Sequence, residues 1–186
     1  MSASLREVLA SADVLFDRAA VEQAIGAMAD VIRDDYTDGV DTRPVYLTVM
    51  HGGMPFASQL AMELGVRGLD LEFDYLHATR YRGATSGGAL VWKHRPATAL
   101  RGRRVLLVDD IFDEGLTMAA IVEWCLAEGA VDVRIAALAV KHHDRAITHL
   151  QADYVGLQVP DRYVFGYGMD YQEQGRNLPA IYAMKD

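Results

Sequence analysis

Val105-Leu106-Leu107-Val108-Asp109-Asp110-Ile111-Phe112-Asp113-Glu114-Gly115-Leu116-Thr117 is the stretch on which the fold turns. Its four leading apolar residues read as a buried strand, and two adjacent carboxylates close it. Neighbours on a strand point to opposite faces, so each carboxylate continues along one face unless the chain turns there. Buried charges without partners are costly, so Asp109 and Asp110 are expected to meet a polar ligand, a metal or solvent at the sheet end. A vicinal diol, such as the hydroxyls of a ribose, offers two donors that suit two carboxylates. Asp113 to Thr117 then join strand to helix. Gly115 permits a tight turn and close backbone approach, and the helix N-terminus offers free N–H groups and the positive end of its dipole. With the Thr117 hydroxyl this makes a phosphate cradle that needs no lysine. A plainer alternative makes Asp113 the helix N-cap and Gly115 part of an ordinary turn. The metal-binding strand end of a P-loop ATPase is excluded, because no G-x-x-x-x-G-K-[ST] lies upstream.

Working outward, Val21, Ile25, Met28 and Ile32 recur at helical spacing and predict a helix over roughly 17–36. Gly39 and Pro44 bracket a turn before the buried strand Val45 to Met50. His51-Gly52-Gly53 follows, and Pro55 opens a helix with Phe56, Leu60 and Leu64 on one face, stopped by Gly65. Leu69, Leu71, Phe73 and Tyr75 alternate with polar residues, as in a strand with one wet face. The polar, glycine-bearing stretch Thr79 to Gly88 is expected to be a mobile loop, with Ala89 to Trp92 as a return strand. After the acidic turn come a helix carrying Met118, Ile121, Val122 and Leu126, closed by Gly129, and two strands at Val133 to Val140 and Tyr154 to Val159. Strands alternating with helices predict an α/β fold, a mostly parallel central sheet flanked by helices, with ligands beyond the carboxyl ends of the strands.

Composition narrows the chemistry. With 186 residues, 51% of them apolar and 24% charged, the chain fits a single domain with a proper core. A net charge of -8 argues against nucleic acid as a partner, but not against an anionic substrate held by backbone N–H groups. The single cysteine, Cys125, lies in an apolar stretch and reads as a small buried hydrophobe in a reducing compartment. Neither a signal peptide nor a bilayer-spanning run is legible, so no membrane partner and a cytoplasmic location are expected.

The string Val105 to Thr117 resembles the PRPP-binding motif of type I phosphoribosyltransferases (PRPP is phosphoribosyl pyrophosphate). Val159-Pro160-Asp161-Arg162-Tyr163-Val164-Phe165-Gly166-Tyr167-Gly168-Met169-Asp170-Tyr171 resembles the purine-binding segment of the hypoxanthine-guanine members, and Arg176-Asn177-Leu178-Pro179 continues it. The likeness runs from roughly 45 to the C-terminus. It implies one domain over 1–186, with a small hood built from the N-terminal region and roughly 160–186. It also implies a homodimer or homotetramer that moves the phosphoribosyl group of PRPP to a 6-oxopurine, with Mg2+ as cofactor.

The same resemblance assigns residues. Asp113 becomes the general base beside the purine imidazole ring. Asp109 and Asp110 contact the ribose hydroxyls and the magnesium bound to them, and the backbone of Asp113, Glu114, Gly115, Leu116 and Thr117 holds the 5′-phosphate. Lys141 donates to the 6-oxo group; a lysine snorkelling from a strand end is the alternative. Tyr163 stacks on the base, with a core aromatic as the alternative, and Val164 contacts the base through its backbone. Asp170 serves a second magnesium, and Arg176, otherwise a surface arginine, contacts pyrophosphate. His51 and Gly52 form the pyrophosphate loop, where the family often has a strained or cis peptide. Arg80 and Tyr81 belong to the flexible catalytic loop. Three departures stand out. The family usually has lysine at His51, Ser-Tyr at Arg80-Tyr81, and Thr or Ser at Glu114. Glu114 is expected to turn outward, because a carboxylate beside a phosphate repels it. Two rivals stay open, a xanthine-preferring enzyme and a non-catalytic sensor of PRPP or nucleotide on the same fold. The sensor predicts an appended DNA-binding module or basic face, and neither is visible.

Overall fold

The computed structural model describes residues 4–37, 43–80, 90–141 and 150–185. In chain order the elements are α1 (Leu5–Ser11), β1 (Asp13–Phe16), α2 (Arg18–Tyr36), β2 (Val45–Val49), α3 (Met54–Val66), β3 (Glu72–Arg80) and β4 (Leu90–His94). Then come β5 (Arg104–Phe112), α4 (Leu116–Ala127), β6 (Asp132–Lys141), β7 (Tyr154–Val159), β8 (Val164–Phe165) and β9 (Ile181–Ala183). Six strands form one sheet in the order β4-β3-β2-β5-β6-β7. All its pairings are parallel except β3 with β4, so the expected α/β class with a mostly parallel central sheet is what the chain adopts.

The central strands are apolar on both faces, and the alternation sorts their side chains into two cores. Tyr46, Leu106, Val108, Ala136 and Leu138 pack against α2 and α3. Val45, Leu47, Val49, Val105, Leu107, Ile135 and Ala137 pack against Met118, Ile121 and Cys125 of α4. Cys125 is fully buried, and burial pushes its thiol up to about 12, as suits a packing residue. No helix among the described residues is long and apolar enough to cross a membrane.

A second, antiparallel sheet has the order β1-β9-β8 and joins the two ends of the chain. Arg162 ties it further: its guanidinium donates to Asp13 Oδ2 at 2.7 Å and to the Met184 carbonyl at 2.6 Å. This sheet shares the α2–α3 core through Val164, Ile181 and Ala183, and the segment after β8 adds Tyr167 and Met169.

Several expectations need correction. Gly65 does not stop α3; the helix runs to Val66, and Gly68, at φ 83°, makes the turn. The strand expected at 69–75 begins at Glu72, and its buried face carries Leu76 and Ala78, whereas Phe73 and Tyr75 are 65% and 42% exposed. Tertiary contact rather than alternation decides that face, because only one side of β3 meets the core under α4. Thr79 and Arg80 still belong to β3, and the rest of the expected loop lies outside the described residues. At the start, Ser4 and Glu7 form a reciprocal capping box on α1, an S-x-x-E signal legible in the sequence.

Candidate active site

The site gathers at the carboxyl ends of β2, β5 and β6. β5 does not stop at Val108 but carries Asp109 and Asp110 within it. The apolar phase shifts across the pair: Val108 and Ile111 both pack on the α2–α3 side, while Leu107 and Phe112 pack under α4. Each carboxylate accepts from the next amide, Asp109 Oδ1 from Asp110 N and Asp110 Oδ1 from Ile111 N, both at 2.9 Å. Asp110 is 7% exposed, the only charged side chain so buried among the described residues. Burial first, and the Asp110 charge second, hold the Asp109 carboxyl well above the usual range, and burial raises Asp110 as well.

Glycines bring two distant segments onto this pair. A Cβ on Gly52 would fall 2.2 Å from Asp110 Oδ2, and one on Gly53 would fall 2.7 Å from the carbonyls of Val49 and Val108. Gly168, at φ 106°, lies against the Gly52 carbonyl and Asp110 Cβ, with room for no side chain. The loop His51–Gly53 is therefore clamped between the sheet and the segment leading to Asp170. The Met50–His51 peptide is cis.

Beyond Asp110, Gly115 takes φ 75° at the N-cap of α4, and no side chain caps the helix. Asp113 is thus not the N-cap of α4. The first amides of α4 keep their donors free of any capping side chain. Glu114 is exposed, and Asp113, Gly115, Leu116 and Thr117 are partly exposed, so the turn is not sealed under other side chains. Lys141 closes β6 and donates from Nζ to Asp113 Oδ2 at 3.1 Å. Its side chain is only 14% exposed, which is not the position of a lysine snorkelling into water.

Tyr163 is 50% exposed and so is no core aromatic; its hydroxyl donates to the Asp170 carbonyl at 3.0 Å. Val164 is buried on β8, opposite Ala183. Asp170 Oδ1 pairs with Arg176 at 2.6 Å, while its Oδ2 accepts from Glu173 N at 2.8 Å. Arg176 also donates to the Gly168 carbonyl at 2.8 Å, so it is anchored over the glycine clamp rather than free on the surface.

One neighbour was missed in the sequence. His77 on β3 meets His51 edge-on, with ring centroids 4.5 Å apart. Burial, then Lys93, His51 and Arg176, hold the His77 imidazole below its ordinary value. No local pattern announces this cluster, since parallel pairing of β2 with β3 creates it. Tyr81 lies outside the described residues, as does the side chain of Arg80. No group of three or more His, Cys, Asp or Glu among the described residues could hold a metal ion by itself.

A phosphoribosyl transferase domain model matches residues 11–174. The chain is 32% identical over 174 residues to the hypoxanthine-guanine phosphoribosyltransferase of Bacillus subtilis, covering 92% of each chain. The chain belongs to the hypoxanthine-guanine phosphoribosyltransferase family. It is also 31% identical over 173 residues to the hypoxanthine-guanine-xanthine phosphoribosyltransferase of Tritrichomonas foetus, covering 93% of this chain and 91% of that one. Among solved structures, hypoxanthine phosphoribosyl transferase from Trypanosoma cruzi superposes with a TM-score of 0.88 at 25% identity, over 94% and 92% of the two chains. The likeness reaches beyond the stretch from 45 onward, because the phosphoribosyl transferase domain match begins at residue 11, ahead of β1.

Proposed function

We propose that this protein salvages 6-oxopurines, moving the 5-phosphoribosyl group of PRPP to hypoxanthine or guanine and giving IMP or GMP with pyrophosphate. The observation that carries this reading is the open, uncapped turn at Gly115, set between the Asp109–Asp110 pair and the Lys141–Asp113 ion pair. Main-chain amides from Asp113 to Thr117 hold the 5′-phosphate, assisted by the positive end of the α4 dipole. Glu114 turns its carboxylate to solvent and leaves the phosphate to the backbone. Asp109 and Asp110 engage the ribose hydroxyls.

The base lies between Lys141 and Tyr163, under the hood formed by the β1-β9-β8 sheet. Lysine has donors and no acceptor, so Lys141 selects a 6-oxo over a 6-amino group. Val164 contacts the base through its backbone. In substitution, the bond from C1 of the ribose to pyrophosphate breaks, and one imidazole nitrogen of the purine bonds to C1. The proton on the other imidazole nitrogen passes to Asp113. Gly52 and His51 receive the departing pyrophosphate together with Arg176, and Arg80 and Tyr81 serve to shield the cationic ribosyl group from water.

Magnesium fits the residues present. Asp109 and Asp110 are hard oxygen donors that burial leaves short of compensating charge, and they would hold the ion; among the described residues no third carboxylate, histidine or cysteine joins them. When bound, it supplies positive charge to the pyrophosphate leaving group. Asp170, proposed for a second magnesium, has both oxygens engaged, one by Arg176 itself, so metal and pyrophosphate draw on one ion pair. The exposed Phe73 and Tyr75 on β3 give a homodimer or homotetramer apolar surface to bury, and the lone buried thiol suits the cytoplasm.

The test is pyrophosphate release from PRPP and magnesium with hypoxanthine, guanine, xanthine and adenine in parallel. Hypoxanthine and guanine are expected to turn over and adenine not. Asp113→Asn is expected to lower kcat by about 10²–10⁴ with little change in KM for PRPP. Near-normal turnover in that variant removes the general base, and absence of turnover with every base leaves a nucleotide sensor.

A further inference from the structure

We propose that His77 is a second pyrophosphate-binding residue, forming with His51 a two-imidazole site that replaces the single lysine usual at position 51. The inference rests on the phosphoribosyl-transfer reading above. The two rings are in edge contact at 4.5 Å, His51 on the glycine loop after β2 and His77 on the neighbouring strand β3. Among the described residues neither imidazole makes a hydrogen bond or ion pair with a protein group, so their N–H donors remain for a ligand. The groups facing His77 are His51 from the β2 end, Lys93 from β4 and Arg176 from the segment before β9. Of these basic groups only Arg176 has carboxylate partners among the described residues, Asp170 at 2.6 Å and Glu173 at 3.9 Å. In a chain of net charge -8, these four basic side chains gathered beside the glycine loop favour an anion.

The chemistry explains why one histidine at position 51 is enough only with its neighbour. A neutral imidazole offers one donor and little charge, whereas two imidazoles beside Lys93 and Arg176 offer two donors in a positive field. Burial first, and then the surrounding basic groups, disfavour a proton on the His77 ring. A polyanion placed among them reverses that balance, so binding takes up a proton and weakens as pH rises.

The experiment is calorimetric titration of the whole protein with inorganic pyrophosphate in magnesium buffer, alongside KM for PRPP. His77→Ala is expected to weaken pyrophosphate and raise KM for PRPP by about tenfold, the scale of one charge-assisted hydrogen bond. His77→Asn, closer in volume, is expected to follow it, which guards against a packing defect. Adding His51→Lys to His77→Ala is expected to restore affinity to within about threefold, since one ammonium then does the work of two rings. Unchanged affinity in both His77 variants overturns the proposal, and so does a loss that Lys at position 51 does not repair. A wild-type chain that binds pyrophosphate but makes no nucleotide from any base overturns the transfer reading instead.

Discussion

At Asp109 the native chain holds a carboxyl that burial and the neighbouring Asp110 charge push upward. An unfolded aspartate titrates near about 3.9, so between that pH and the raised native value the folded state binds more protons than the unfolded one. Stability therefore falls as pH rises through this window, and the Asp109 carboxyl burdens the ligand-free protein at neutral pH. Asp109→Asn keeps the oxygen that accepts from Asp110 N and removes the charge. In magnesium-free buffer at neutral pH the variant is expected to melt about 2–5 °C above wild type, with the gain shrinking toward pH 5 and transfer activity lost. Scanning calorimetry at the two pH values decides it; a lower melting temperature at neutral pH would mean the carboxylate is already compensated. The chemistry of this position was legible, because two acids after four buried apolar residues require a polar ligand, a metal or water at the strand end. The pairing of Lys141 with Asp113 was not, since 28 residues separate them.

Between elements, the glycines do unequal work. Gly52 and Gly168 are places where backbone meets backbone or a buried carboxylate, and a methyl at either has nowhere to go. Gly65 lies in α3 with nothing within 4 Å of an added Cβ. Gly52→Ala is expected to cost at least about 2 kcal/mol and most of the activity, while Gly65→Ala gains about 0.5–1 kcal/mol by restricting the unfolded chain. Urea titration of the two variants separates them, and equal effects would contradict the clamp. In the sequence, Gly52 and Gly53 announced a loop, but Gly65 read as a stop signal. Composition alone does not tell a helical glycine from one at positive φ, and Gly68, a little further along, takes that conformation.

Across the whole molecule, the small sheet is not a separate folding unit. Ile181, Ala183, Val164 and Met169 sit in the same apolar cluster as α2 and α3, and Arg162 joins the two ends of the chain. One cooperative transition is expected. Ile181→Ala is expected to destabilise it by about 2–5 kcal/mol and to shift far-UV circular dichroism and tryptophan fluorescence together. Trp92 and Trp124 lie against each other on the opposite, α4 side, so they report at a distance from the mutation. Separate midpoints for the two signals would show that the sheet unfolds on its own.

The strand and helix series, the parallel sheet and the acidic turn were written in local pattern: apolar runs of strand length, apolar residues at helical spacing, and two carboxylates that no core accepts without a ligand. Strand pairing and chain reversal decided the rest. Which face of β3 is buried depends on what lies across from it, and the union of β1 with β8 and β9 depends on residues at opposite ends of the chain. His77 reaches His51 only because β2 and β3 run side by side. Periodicity encodes what one segment prefers, whereas contacts between distant segments arise only when those preferences are packed together.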